Sequence, residues 1–311
     1  MRNYKKILFF ILLPISVALI VIFNQDKEVE DTRPMVAVST FSLYDITTHI
    51  AGDTVKIINI LPFGVDPHSF EPTPKLMAEI EKSVLVLYSG AGLEPWTHGY
   101  TFKNRSVDMS KHVRLRHLDA DEHEHHKHHD EQCAHNRLDP HYWLDFANMQ
   151  KSAEIVTQEL IKIAPKNKQF YINNKNKYIE MLNQLNRAYD TQLKGCKLDT
   201  IIVNHNAFGY LSHRFGFEVE ALSGLIPEAQ PNAKNMSRLI QDIEHHGAPV
   251  VFAESFVSSK AMKSIANEVH VDVEVLQPLG NITADEAKQQ LTYEDIMKQN
   301  LIKISKALMC R

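Results

Sequence analysis

The sequence predicts an α/β protein: two βα lobes with parallel sheets, joined by a long rigid backbone helix. Three observations predict it. Short apolar runs alternate with helically spaced segments from residue 35 to residue 90. The same rhythm returns from residue 200 to residue 308. Between these blocks, residues 148–193 are polar and helix-rich. Strand, helix, strand in repetition implies a parallel sheet covered on both faces.

In the first lobe, Met35–Ser39 is a short apolar run and Phe41–Ala51 has helical spacing. Val55–Leu61 alternates as a strand does, Lys75–Lys82 is helical with Pro74 in its first turn, and Val84–Tyr88 is a fully apolar strand. The second lobe reads as strands at Thr200–Val203, Phe217–Leu222, Pro249–Ala253 and Val271–Leu276. Its helices are Ala207–Phe215, Ala233–His246, Ser258–Val269 and Thr292–Leu308, with Gly216 and Gly247 as stops. Over Lys166–Leu193, spaced apolar residues (Phe170, Ile179, Leu182, Leu185, Tyr189) suggest one helix of about 28 residues, about 42 Å long. Such a helix is a stiff strut, and the competing reading is two helices broken near Asn173–Asn174. The resulting division is 1–34 as a signal or anchor segment with linker, 35–165 as the first lobe, 166–194 as the connecting helix and 195–311 as the second lobe.

Arg2, Lys5 and Lys6 precede a 17-residue apolar run, Ile7–Phe23, interrupted by Pro14 and Ser16. A basic start followed by an apolar stretch reads as an export signal, which places the rest of the chain outside the cytoplasm, cleaved or tethered. No small-x-small cleavage site follows the run. No cysteine stands near its end, so a lipid anchor is not expected. Of 311 residues, 44% are hydrophobic and 23% charged, which suits buried cores and excludes a disordered chain. With 34 basic against 38 acidic side chains there is no basic surplus for a nucleic-acid partner. Three cysteines cannot form a disulfide framework for this length, although Cys196 and Cys310 can pair outside the cytoplasm, leaving Cys133 alone.

Histidine is the unusual residue, at 17. Within 112–136 lie His112, His117, His123, His125, His126, His128, His129 and His135, mixed with Asp and Glu. This stretch has no apolar period to bury, so it is expected to be a mobile loop. Neutral imidazole is the metal-binding form, and many flexible ligands give weak, exchanging sites, here expected at His123, His125, His126, His128 and His129. Nitrogen donors suit zinc, nickel or copper.

Three single histidines carry a sharper expectation. His68 follows the strand Val55–Leu61, His205 follows Thr200–Val203, and His141 lies between the His-rich insertion and a helix. Ligands of open α/β sheets bind beyond the carboxyl ends of the strands, so a metal in the interlobe cleft can take all three. Pro67 and Pro140 stiffen the backbone beside two of them. Asp139 and Asp145 are available to orient an imidazole.

Several segments together resemble the zinc and manganese substrate-binding proteins of ABC uptake transporters. They are Gly-Val-Asp-Pro-His-Ser-Phe-Glu-Pro (64–72), Gly-Leu-Glu-Pro-Trp (92–96), Asp-Pro-His-Tyr-Trp-Leu-Asp (139–145), Asn-His-Asn-Ala-Phe-Gly-Tyr-Leu (204–211), Phe-Ala-Glu-Ser (252–255) and Thr-Tyr-Glu-Asp-Ile-Met-Lys-Gln-Asn-Leu (292–301). The resemblance covers nearly all of 35–308, and the His-rich insertion resembles the zinc-selective branch. It implies two lobes on a rigid helix, one metal held by His68, His141 and His205, and a membrane permease as partner. Family members often carry an aspartate after the last strand, where this chain reads Leu276-Gln277-Pro278-Leu279. The fourth position therefore falls to water, a loop histidine, Glu254 or Gln277, with Glu254 read rather as a supporting residue.

The implied function is zinc capture outside the membrane and delivery to the permease, by a monomer without enzymatic activity. Three imidazoles favour zinc over manganese, which prefers oxygen donors. The alternatives are a manganese-binding or adhesin member of the same family, or a hydrolase whose zinc-bound water is activated with Glu254 as base. No His-Glu-x-x-His motif and no P-loop is present.

Overall fold

A computed structural model describes residues 31–117, 138–227, 231–255 and 259–311. The expected export segment and histidines 123, 125, 126, 128 and 129 lie outside these residues, as does Cys133. Residues 34–311 belong to one contact unit. No described helix is long and apolar enough to cross a membrane.

The first sheet has strands β1 (Met35–Val38), β2 (Lys56–Asn59), β3 (Leu85–Tyr88) and β4 (Arg105–Asp108), ordered β2-β1-β3-β4 and all parallel. Helices α1 (Phe41–Ala51) and α2 (Pro74–Ile80) connect them. Pro74 opens α2, where its missing N–H is not needed, and the Thr73 side chain accepts from Leu76 N. Strand β4 is absent from the sequence expectation because, of its four residues, only Val107 is buried, at the sheet edge.

Two helices follow, α3 (Phe146–Ile163) and α4 (Lys168–Gln192). α4 is one unbroken helix of 25 residues, three short of the expected length. A 3₁₀ turn at Pro165–Asn167 takes up its start. Its buried face is Tyr171, Tyr178, Leu182, Leu185 and Tyr189, while Phe170, expected inside, is 45% exposed. Tyrosine can bury its ring where its hydroxyl finds a partner. Tyr171 Oη meets Thr54 Oγ1 at 2.7 Å, Tyr178 Oη donates to Asp45 at 2.7 Å, and Tyr189 Oη donates to Met297 O at 2.7 Å.

The second sheet has strands β5 (Thr200–His205), β6 (Glu218–Ser223), β7 (Val250–Ala253) and β8 (Asp272–Val275), ordered β6-β5-β7-β8, again parallel. Its helices are α5 (Gly209–Phe215), α6 (Ala233–His246) and α7 (Lys260–Val269). α5 and α6 end on left-handed Gly216 and Gly247, as the sequence indicates. The chain closes with α8 (Ala284–Lys288), a short helix not expected from sequence, and α9 (Tyr293–Ala307).

α4 is not the sole link between the halves. The segment from 276 to 296 runs back across the first half. Gly280 O accepts from Phe41 N at 3.1 Å, Ile282 O from Gly64 N at 2.8 Å, and Pro278 O from Trp143 Nε1 at 2.7 Å. Asn281 donates to Pro62 O and Val65 O at 2.7 and 2.8 Å. One apolar core accordingly holds Val36 and Leu85 from the first sheet together with Val203 and Phe252 from the second.

Cys196 and Cys310 form a disulfide across a sequence separation of 114 residues. It ties the approach to β5 to the end of α9. Closing a loop of that size restricts the unfolded chain. Cys310→Ser is expected to lower unfolding free energy by about 2–5 kcal/mol in urea melts of the oxidised protein. Equal stabilities for variant and parent would show that this link constrains nothing.

Candidate metal centre

The two sheets share one winding, so each reverses strand order between its first and third strands. The crevice beyond such a reversal is where open α/β sheets bind ligands. His205 is the last residue of β5, and Glu254 directly follows β7, so they flank the reversal in the second sheet. His68 and His141 arrive on loops. The first follows β2. The second lies beyond the His117↔Leu138 bridge, which closes the base of the His-rich insertion.

Both loops carry the tripeptide Asp-Pro-His. In each, the aspartate Oδ1 accepts from the histidine backbone N–H, at 3.0 Å for Asp66 and His68 and at 3.0 Å for Asp139 and His141. Asp139 Oδ1 also accepts from His141 Nδ1 at 2.9 Å. Segment 278–280 presses both loops together. A Cβ on Gly280 would sit 3.3 Å from Pro67 Cγ and 3.4 Å from Trp143 Cζ2, so only glycine allows this approach without displacement.

The three imidazoles converge. Ring centroids lie 5.4 Å apart for His68–His141, 5.8 Å for His68–His205 and 5.2 Å for His141–His205. One nitrogen from each lies within 4.8 Å of the others, the one such ligand cluster among the described residues. His205 Nδ1 donates to Glu254 Oε1, as His141 Nδ1 does to Asp139. Those bonds place a proton on each Nδ1, which leaves the Nε2 of a neutral ring free to accept a hydrogen bond or bind a metal. The two Nε2 atoms face each other at 3.3 Å. A buried pair of imidazole nitrogens this close needs a proton or a metal ion between their lone pairs. Two nitrogens bound about 2.05 Å from one tetrahedral zinc stand about 3.3 Å apart.

The surroundings hold these rings in distinct charge states. Burial, with the neighbouring His141 and His205, presses the His68 pKa down to about 2. Burial also lowers His141, against the pull of Asp139. His205 is pressed down by burial as well, but Glu254 raises it overall. Burial raises the Asp66 carboxyl.

Asp66 and Glu254 both line the cavity, whose free volume is about 10 Å³. That is room for one ion or one water. Glu254 accepts from His205 Nδ1, and its Oε2 is buried without a hydrogen-bond partner among the described residues. Gln277 does not line the cavity, and its amide nitrogen donates to Ser255 Oγ at 3.1 Å and Glu286 Oε2 at 2.7 Å. Asp145 orients no imidazole. It caps α3 by accepting from Ala147 N and Asn148 N, and pairs with Arg214 at 3.1 Å. Asp66 is the site residue the sequence reading missed, and its signal is the repeated Asp-Pro-His. A larger cavity of about 620 Å³, lined by Arg114, Arg116, Tyr210 and Arg214 among others, contains none of the three convergent histidines.

A family model described as "Zinc-uptake complex component A periplasmic" matches residues 36–307. The high-affinity zinc uptake system protein ZnuA of Bacillus subtilis (strain 168) is 31% identical over 281 residues, covering 89% of this chain and 88% of that protein. The zinc-binding lipoprotein AdcA of Streptococcus pneumoniae (strain R6) is 28% identical over 288 residues, covering 91% of this chain but only 58% of AdcA. Among solved structures, the Zn(II)-bound ZnuA-like domain of Streptococcus pneumoniae AdcA is similar, with a TM-score of 0.73 at 25% identity over 89% of this chain and 99% of that one.

The depressed His68 pKa has a consequence for the metal-free protein. Below its unfolded value of 6.5, the unfolded chain takes up a proton at this position and the folded chain does not. Stability therefore falls as pH drops, by at most about 1.4 kcal/mol per pH unit from this group. Urea melts between pH 6.5 and 5 are expected to show a shallower decline for His68→Gln than for the parent. Parallel slopes would mean that His68 titrates normally in the fold.

Proposed function

Because the chain belongs to the family of periplasmic zinc-uptake component A proteins, we propose that it captures zinc outside the cytoplasmic membrane and delivers it to an ABC permease for import. His68, His141 and His205 bind the ion. The observation that carries this is the 3.3 Å approach of the His141 and His205 Nε2 atoms, each backed on its far side by a carboxylate. A carboxylate behind a metal-bound imidazole fixes its tautomer and raises its basicity. The three nitrogens converge without a carboxylate among them, so no protein carboxylate takes the fourth zinc position in this arrangement.

Three neutral nitrogen donors favour zinc over manganese. A hydrolase would need space for a substrate beside the ion, and about 10 Å³ does not supply it. The chain is a carrier, and zinc is its cargo. Residues 1–34 export it and 35–165 and 195–311 form the lobes about the 166–194 helix. The His-rich 112–136 stretch collects zinc weakly and raises its concentration near the cleft. The carrier acts as a monomer.

Replacing any of His68, His141 or His205 by Ala is expected to weaken zinc binding at least 100-fold in competition with a chromogenic chelator. Asp139→Asn and Glu254→Gln should each weaken it by about 10–100-fold. Unaltered affinity in the three alanine variants would overturn the ligand assignment. Deleting residues 121–129 is expected to leave one tight equivalent and remove weaker ones. Loss of the tight equivalent instead would place that site on the loop.

A further inference from the structure

The three imidazoles are not equally supported. His141 and His205 are each 2% exposed, and each donates Nδ1 to a buried carboxylate. His68 is less buried. Among the described residues, no hydrogen bond holds its ring; only its backbone N–H is tied, to Asp66.

The two Asp-Pro-His segments make this difference sharp. Both aspartates accept from the backbone of the histidine two residues on, at the same 3.0 Å. Asp139 then spends the same oxygen on the ring of its own histidine. Asp66 does not. No imidazole donates to it, and it lines the ion cavity beside the three histidines. It is also outside the convergent set of nitrogens, so it is not a ligand in this arrangement.

We propose that zinc enters and leaves on the His68 side, and that Asp66 serves as a transient ligand that takes the ion as His68 releases it. The proposal rests on the zinc-capture reading above. His141 and His205, held by Asp139 and Glu254, keep the ion in a two-nitrogen platform. One bond from an Asp66 oxygen forms as the bond from His68 breaks, and no proton needs to move. A carrier with only buried, fully supported ligands would have to strip zinc to bare coordination before release, in a medium where an unpaired charge is costly. A carboxylate at the mouth removes that step from the path. The incoming ion meets the same carboxylate first, so capture and release share it.

The test is stopped-flow zinc uptake and release to a chelator, comparing the parent with Asp66→Asn and Asp66→Glu. Asparagine can still accept from His68 N–H, so the loop keeps its bond and only the charge is lost. Asp66→Asn is expected to slow uptake and release alike, each by about tenfold, with the equilibrium affinity within threefold of the parent. Asp66→Glu is expected to restore most of both rates. Unchanged rates in Asp66→Asn overturn the proposal. So does slower uptake with unchanged release, which would be long-range attraction alone, or faster release with lost affinity, which would make Asp66 a resident ligand. A parent protein that binds zinc no better than the His68/His141/His205 triple alanine variant would instead overturn the capture reading itself.

Discussion

The close approach of two imidazole nitrogens, His141 Nε2 and His205 Nε2, is the constraint on which the rest of the structure depends. Each ring is held by a carboxylate on its other side, and the two Nε2 atoms lie 3.3 Å apart. In a buried site two such nitrogens need a proton or a metal ion between them. The energy of ordering these groups is therefore met largely by the rest of the fold, and zinc gains a preorganised site. Burial acts in the same direction, because it keeps His68 and His141 in the neutral form that binds metal.

The fold supplies that preorganisation by holding its two halves together twice. α4 runs along the first half and reaches α9 through Tyr189. The 278–296 segment crosses back and bonds to the loops that carry His68 and His141. Pro67 and Trp143 meet at Gly280, so a shift of that segment moves both loops at once. Asp45 joins the same junction, accepting from Tyr178 Oη on α4 and from Tyr293 N at the start of α9. Large opening between halves would break these bonds and divide one continuous core. Local movement of a loop at the cleft costs much less.

Much of this was legible in the sequence, for reasons that differ by element. The parallel strands announced themselves because they are buried on both faces, as at Leu85–Tyr88 and Val250–Ala253. β4 was hidden because an edge strand such as Arg105–Asp108 shows too little apolar pattern. The buried face of α4 was read only in part, at Leu182, Leu185 and Tyr189, because tyrosine is ambiguous in isolation. Tyr171 and Tyr178 are inside only because Thr54 and Asp45, more than 100 positions away, accept or share their hydroxyls. The convergence of the three histidines was anticipated from His205 at a strand end and from Pro67 and Pro140 beside the other two. The different fates of Asp66 and Asp139 were not, since both lie in Asp-Pro-His and differ only in where the ring of the histidine turns.

That difference bears on how a carrier meets two opposed demands. Tight capture requires ligands whose orientation is fixed before the ion arrives. Delivery requires that the same ligands let go on a useful timescale. A site with three equivalent supports would satisfy the first demand and obstruct the second, because every route out would break a bond held by a buried carboxylate. Here two rings are held by Asp139 and Glu254, while no hydrogen bond among the described residues holds the ring of His68. On the proposed exchange path, affinity resides mainly in the inner pair and the ion passes by the outer ring. The small cavity suits that task, since its free volume of about 10 Å³ is that of one ion or one water.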